Sequence, residues 1–276
     1  MKFDLPKTPA VQATGKSFRL ARVAPDDIAP FAHSPDDKGE AGPRLLQLRQ
    51  RLSELQELLY AEQERNVLLV FQAMDTGGKD GAIKNLLTGV NPAGVRVTSF
   101  KAPSKDELSQ DFLWRIRAQT PKRGHIGVFN RSHYEDVLIT RVHGLIDAKT
   151  WKRRYEDINN FEALLSHNGT VVLKFFLHIS KEEQARRLQA RLDDPAKHWK
   201  FDPNDLQERK RWKDYQNAYE DAIRHCSPAH APWFVVPSNE KWARDLAITE
   251  IVVAALEAMN LQPPRIDFDP KQQVIE

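Results

Sequence analysis

The sequence predicts an α/β fold, a five-stranded and mainly parallel sheet covered by helices on both faces. Five short apolar, β-prone runs, at 67–73, 95–100, 126–130, 171–177 and 233–236, alternate with stretches of helical spacing, the pattern of right-handed βαβ units. The first run passes through a glycine-rich turn straight into a helical stretch, and the third ends in a polar cluster. Both features fall at carboxyl ends of strands, where sheets of this kind bind ligands.

A chain of 276 residues accommodates one large domain of this class. Hydrophobic residues at 41% and charged residues at 29% suit a globular protein, and no apolar run approaches a membrane span. The formal charge of +3 is too small to imply nucleic acid as a partner. Cys226 is the only cysteine, which excludes an intrachain disulfide, and the amino terminus lacks an apolar secretory core. A reducing cytoplasm is the expected compartment.

Residues 1–43 hold Pro6, Pro9, Pro25, Pro30, Pro35 and Pro43 with Gly15, Gly39 and Gly42 and show no periodicity, so they are expected to form an irregular arm. The main domain is expected over 44–276. It starts with Leu45, Leu48, Leu52, Leu55 and Leu59 at three- and four-residue spacings, an amphipathic helix. That stripe, like the apolar last helix at about 242–259, serves either the chain's own core or a contact in a homodimer or homotetramer. Ser104 with Glu107 reads as a capping box opening a helix through about Ala118, which Pro121 ends. A helix over 150–167 is stopped by Gly169. Ser180 with Glu183 opens another helix, a polar connection covers 193–200, and one long helix is expected over 204–224.

The chemistry is concentrated in two clusters. In Met74-Asp75-Thr76-Gly77-Gly78-Lys79-Asp80-Gly81, the paired glycines let successive N–H groups turn inward, the following helix adds its positive end, and Lys79 supplies a mobile charge. This is a cradle for phosphate oxygens, although Ala73 and Asp80 replace the first glycine and the hydroxyl residue of G-x-x-x-x-G-K-[ST]. The second cluster is Asn130-Arg131-Ser132-His133-Tyr134-Glu135-Asp136. Arg131 is suited to bidentate phosphate contact. With Asn130 where an acidic residue would hold Mg²⁺, the candidate metal ligands are Asp75 first, then Asp80, Glu135 and Asp136.

Between Lys181 and Lys213 ten Lys/Arg face seven Asp/Glu, and Arg187 and Arg191 share a helical face. A helical hairpin over about 186–212 is expected to act as a lid whose arginines close over phosphates. Lys101, Lys105, Lys122 and Arg123, on loops, extend a possible track for a long polyanion.

The two clusters, with the order of strand, arginine helix and lid from Val171 to Trp212, resemble the polyphosphate kinase 2 family over roughly residues 45–260. The resemblance implies a thymidylate-kinase-like P-loop kinase fold in three layers, Mg²⁺ as cofactor, and reversible phosphoryl transfer between inorganic polyphosphate and nucleotides. Asp75, Lys79 and Arg131 would then be catalytic. Thr76, Gly77, Gly78, Asp80, Gly81, Asn130, Arg187 and Arg191 would contact phosphate or nucleotide, and Asp75, Glu135 and Asp136 would hold the metal. Where many members have Asp-Arg-Ser-Trp-Tyr, this chain has Asn130-Arg131-Ser132-His133-Tyr134, which resembles the subgroup acting on both AMP and ADP. Guanine nucleotides are a further candidate. Two other classes share parts of the pattern: an ATP-dependent kinase of a small metabolite, and a non-catalytic polyanion-binding protein whose binding would fall with salt but survive EDTA.

Overall fold

The strand Asn66–Ala73 is buried along its whole length, because both faces of the sheet are covered. Its alternate side chains serve two separate cores: Val67, Leu69, Phe71 and Ala73 enter one, Leu68 and Val70 the other. In the computed structural model, which describes residues 3–32, 39–273 and 275, the strands are β1 (Val11–Gln12), β2 (Asn66–Ala73), β3 (Val95–Ser99), β4 (Ile126–Asn130), β5 (Thr170–His178) and β6 (Trp233–Pro237). They lie in the order β1-β6-β5-β2-β4-β3, and every pair is parallel except β1 with β6. The expected five parallel strands are present, and β1 makes a sixth.

That sixth strand corrects the reading of the arm as wholly irregular. Val11 and Gln12 pair with Val235 and Phe234, and the Ala13 N–H donates to the Trp233 carbonyl at 2.9 Å. The edge of β6 would otherwise present unpaired polar groups, and two paired residues leave no periodic trace in a sequence. Phe18, Leu20 and Val23 of the arm are buried in the second core. Pro35 of the expected arm lies outside the described residues.

On one face of the sheet α1 (Ala41–Glu62) packs along α10 (Lys241–Glu257), with α2 (Lys79–Leu86) beside them. Leu52, Leu55 and Leu59 of the predicted stripe are buried there, in the chain's own core. The other face carries α6 (Ala148–His167) and α9 (Trp212–His225), with α5 (Ile139–Val142) beside them. The result is a three-layer sandwich. No helix among the described residues is long and apolar enough to cross a membrane.

Two predicted helices are each divided. The stretch after Ser104 is α3 (Lys105–Leu108) and α4 (Trp114–Arg117), because the Asp111 carboxylate accepts the Leu113 N–H at 3.0 Å and restarts the chain between them. The Ser104–Glu107 capping box is complete in both directions. The stretch expected over 204–224 is α8 (Asn204–Lys210) and α9, parted at Arg211, whose guanidinium donates to the Val142 carbonyl at 3.2 Å. At the start of α7 (Lys181–Asp193) Ser180 caps Glu183 N–H. The Glu183 carboxylate does not return to Ser180: it binds Arg186 and Arg187 instead, and Asn239 takes the Ser180 N–H.

Candidate active site

The turn after β2 is built for close backbone approach. A Cβ on Gly77 would stand 2.5 Å from the Ala73 Cβ, and one on Gly78 2.5 Å from the Arg244 guanidinium; Gly78 also has φ +95°. Only glycine fits either place. Among the described residues the N–H groups of Gly78, Lys79, Asp80 and Gly81 have no acceptor. These are the unpaired amides of the amino end of α2, and residues 77–81 line an open cleft of about 750 Å³. The buried Thr76 hydroxyl there has no partner either.

Lys79 begins α2 and reaches back to donate to the Ala73 carbonyl at 3.2 Å. Burial lowers its pKa, the nearby Arg131 adds to that, and Asp75, Glu135 and Asp80 oppose it. A bound polyanion would restore the full charge.

The register Phe71↔Asn130 sets the end of β4 beside β2, and the Arg131 N–H donates to the Phe71 carbonyl at 3.0 Å. Arg131 adopts φ +62°, a left-handed conformation uncommon outside glycine. Its guanidinium then meets Asp75 at 3.2 Å, so the two clusters share one wall. Burial works against the Arg131 charge, but Glu135 and Asp75, with Tyr219 and Asp205, more than offset it and its pKa is raised. Asn130 donates to Asp80 at 2.6 Å, which ties the second cluster to the first turn of α2.

Three acidic candidates separate. Asp75 and Glu135 line a smaller cavity of about 200 Å³, together with Arg131, Asp205, Tyr215 and Tyr219. Burial raises the Glu135 pKa, against the pull of Arg131 and Lys79, and pushes Asp205 up to about 6, with Asp75 adding to it. Asp136 turns away: its backbone carbonyl accepts from Arg154 at 2.8 Å and its carboxylate lies 3.6 Å from the same guanidinium. The expectation that Asp136 shares a metal with Asp75 is therefore corrected; the 3₁₀ turn at 133–137 points consecutive residues in different directions. Among the described residues no three His, Cys, Asp or Glu side chains form a metal-holding group by themselves.

The basic residues also sort by position. Arg187 is buried and occupied: it donates to the carbonyls of Thr76 at 3.2 Å, Gly77 at 3.1 Å and Asn239 at 3.2 Å, and pairs with Glu183. It lines the cleft, but with its guanidinium committed to the carbonyls of the glycine turn and not free as a lid arginine would be. Arg191 lines the cleft and is held by Asp205 at 3.2 Å and the Lys200 carbonyl. Lys101 lines the cleft with Lys197 and Lys200, while Lys105 is exposed outside that lining. Lys122 and Arg123 are misplaced in the expected track. They precede β4, where Gly124 N–H donates to the Arg65 carbonyl just before β2, and so lie at the amino ends of the strands. A five-residue strand separates them from the cleft by about 16 Å.

Sequence reasoning missed Arg244 and Lys241, both in the cleft lining. Arg244 is 2% exposed, bonded to Asp245 at 2.6 Å, with its other nitrogen at the Gly78 carbonyl. Asp245 accepts in turn from Asn85 of α2 at 2.7 Å. The available signal was a charged pair near the start of an otherwise apolar helix, since charges rarely enter a core unpaired.

Comparison with known proteins bears on this geometry. The chain is 49% identical over 266 residues to an AMP/ADP-polyphosphate phosphotransferase of Meiothermus ruber, covering 96% of this chain and 98% of that one. It is 44% identical to an ADP-polyphosphate phosphotransferase of Rhodopseudomonas palustris, covering 91% and 90%. The crystal structure of polyphosphate kinase 2 from Arthrobacter aurescens TC1 superposes with a TM-score of 0.90 at 44% identity, over 98% of this chain and 96% of that one. A family model for polyphosphate kinase 2 (PPK2) matches residues 35–264. The three-layer fold and these matches agree, and the chain belongs to the polyphosphate kinase 2 family.

Proposed function

We propose that the cleft moves a phosphoryl group between inorganic polyphosphate and an adenine nucleotide, with AMP and ADP both serving as acceptors. The observation that carries this reading is the convergence of four unpaired amides, the Lys79 ammonium and the Arg131–Asp75 pair on one wall of one cleft. The M. ruber relative's name supports the choice of AMP and ADP.

A phosphate oxygen of the nucleotide is already nucleophilic, so positioning and electrostatics suffice and no strong base is needed. The amides of residues 78–81 hold equatorial oxygens, Lys79 and Arg131 stabilise charge on the transferred group, and Asp75 orients Arg131. Asp75 and Glu135 suit Mg²⁺, which takes one or two carboxylates and completes its shell with water and phosphate; the raised pKa of Glu135 marks a carboxylate that a cation would stabilise. When bound, the ion would neutralise charge on the phosphates. The basic side chains Arg191, Lys197, Lys200 and Lys241 line the remainder of the cleft, a surface suited to the rest of a phosphate chain. We place the reaction in the cytoplasm, consistent with a buried free thiol at Cys226.

The test is nucleotide formation by the purified protein with polyphosphate and AMP, ADP or GDP, with and without Mg²⁺. Mg²⁺-dependent formation of ADP and ATP without added ATP supports the reading. Activity with ATP alone as donor would identify an ATP-dependent kinase, and polyphosphate binding without turnover a polyanion-binding protein.

A further inference from the structure

The polar core beneath the second cluster is not used by any step above. Lys174 of β5 and Glu162 of α6 are fully buried and paired. The Lys174 ammonium has all three protons placed, on Glu162, on the Tyr134 hydroxyl at 2.8 Å and on the Cys226 carbonyl at 2.7 Å. The Tyr134 hydroxyl donates to Glu162 at 2.9 Å, and His133 Nε2 stands 3.1 Å from the same oxygen. Tyr134 also packs edge-on against Trp233 of β6, with centroids 4.8 Å apart.

A buried ion pair of this kind contributes little net stability, because desolvation offsets its attraction and apolar residues of the same size often do as well. Its geometric effect is larger. Tyr134 is tied at both ends: its N–H donates to the Ser132 hydroxyl at 3.2 Å, which also accepts from Gln72 at 3.1 Å, and its phenol is fixed to β5 and α6. Arg131, three residues before Tyr134 and next to the Ser132 whose hydroxyl accepts the Tyr134 N–H, holds a left-handed conformation that persists only where its surroundings enforce it. We propose that Tyr134, clamped by the Lys174–Glu162 pair, is a positioning residue that fixes Arg131 against Asp75 for phosphoryl transfer. This rests on the role given to Arg131 above.

The test is a double-mutant cycle of Tyr134→Phe with Arg131→Ala, reading kcat, KM and melting temperature. Tyr134→Phe keeps the ring and the Lys174–Glu162 pair. It is expected to lower kcat about 10-fold with KM within about twofold, and to add less than about twofold in the Arg131→Ala background, because one residue acts through the other. Wild-type kcat in Tyr134→Phe, or an equal loss in both backgrounds while Arg131→Ala is itself slow, overturns the positioning role alone. Wild-type turnover in Arg131→Ala overturns the role of Arg131 and the inference with it. A second comparison covers failure of the single variant to fold. Lys174→Met/Glu162→Gln keeps an uncharged acceptor for Tyr134 and is expected to recover turnover that Lys174→Met/Glu162→Leu loses; equal turnover in the two double variants contradicts the proposal.

Discussion

Arg131 and Asp75 meet at 3.2 Å across the ends of two neighbouring strands, though 56 residues apart in the chain. The meeting follows from register: β4 ends level with Phe71, two residues before β2 ends, so the turns after both strands face one opening. Removing the carboxylate leaves Arg131 untethered and takes away one of the two carboxylates proposed to hold Mg²⁺. Asp75→Asn is expected to lower kcat by about 10²-fold in a chain that melts normally, measured by Mg²⁺-dependent ATP formation.

Arg187 differs from the other cations lining the cleft, since its guanidinium is spent on the carbonyls of the turn and on Glu183. Arg187→Ala leaves several buried carbonyls without a donor and strips the Glu183 carboxylate of one of its two guanidinium partners, Arg186 being the other. It is expected to cost about 3 kcal/mol of folding stability as well as activity, read by urea unfolding, whereas Lys200→Ala, at an exposed cleft position, should weaken polyphosphate binding without changing the unfolding midpoint.

The amino-end placement of Lys122 and Arg123 predicts silence. Lys122→Ala/Arg123→Ala should leave KM for polyphosphate within about twofold of wild type, as steady-state assays at fixed nucleotide would show.

The parallel strands, the glycine turn and the second cluster are all legible in the sequence because each is contiguous: a buried run followed by glycines or polar residues carries its own signal. What was not legible depends on non-local pairing. The strand Val11–Gln12 exists only because β6 has a free edge. Arg187 and Arg191 share a helical face and both line the cleft, yet Arg187 is bound to the carbonyls of the turn and Arg191 to Asp205. Glu135 and Asp136 are adjacent in sequence and serve opposite sides of a 3₁₀ turn.

Two groups predict pH effects of stated sign. Burial and Arg131 hold the Lys79 pKa below the ordinary lysine value. The alkaline limb of kcat/KM, which reports the free enzyme, should therefore fall at lower pH than that of kcat, where bound phosphate restores the charge. Glu250 of α10 is pushed up to about 7 by burial, against the pull of Arg44. Its folded pKa exceeds the unfolded value, so its contribution to stability is full at acid pH and is lost as pH rises through about 7. Glu250→Gln should thus stabilise the protein at pH 8 by on the order of 1 kcal/mol and have little effect at pH 4, compared by thermal melting at the two pH values.

In the proposed reaction the turn at Gly78 and the Lys79 ammonium grip the phosphates during transfer. The decisive measurement is polyphosphate-driven conversion of ADP to ATP by Lys79→Ala. Lys79→Ala is expected to lose about 10²-fold or more in kcat with an unchanged melting temperature; turnover close to wild type would mean that the ammonium does not hold the transferred group.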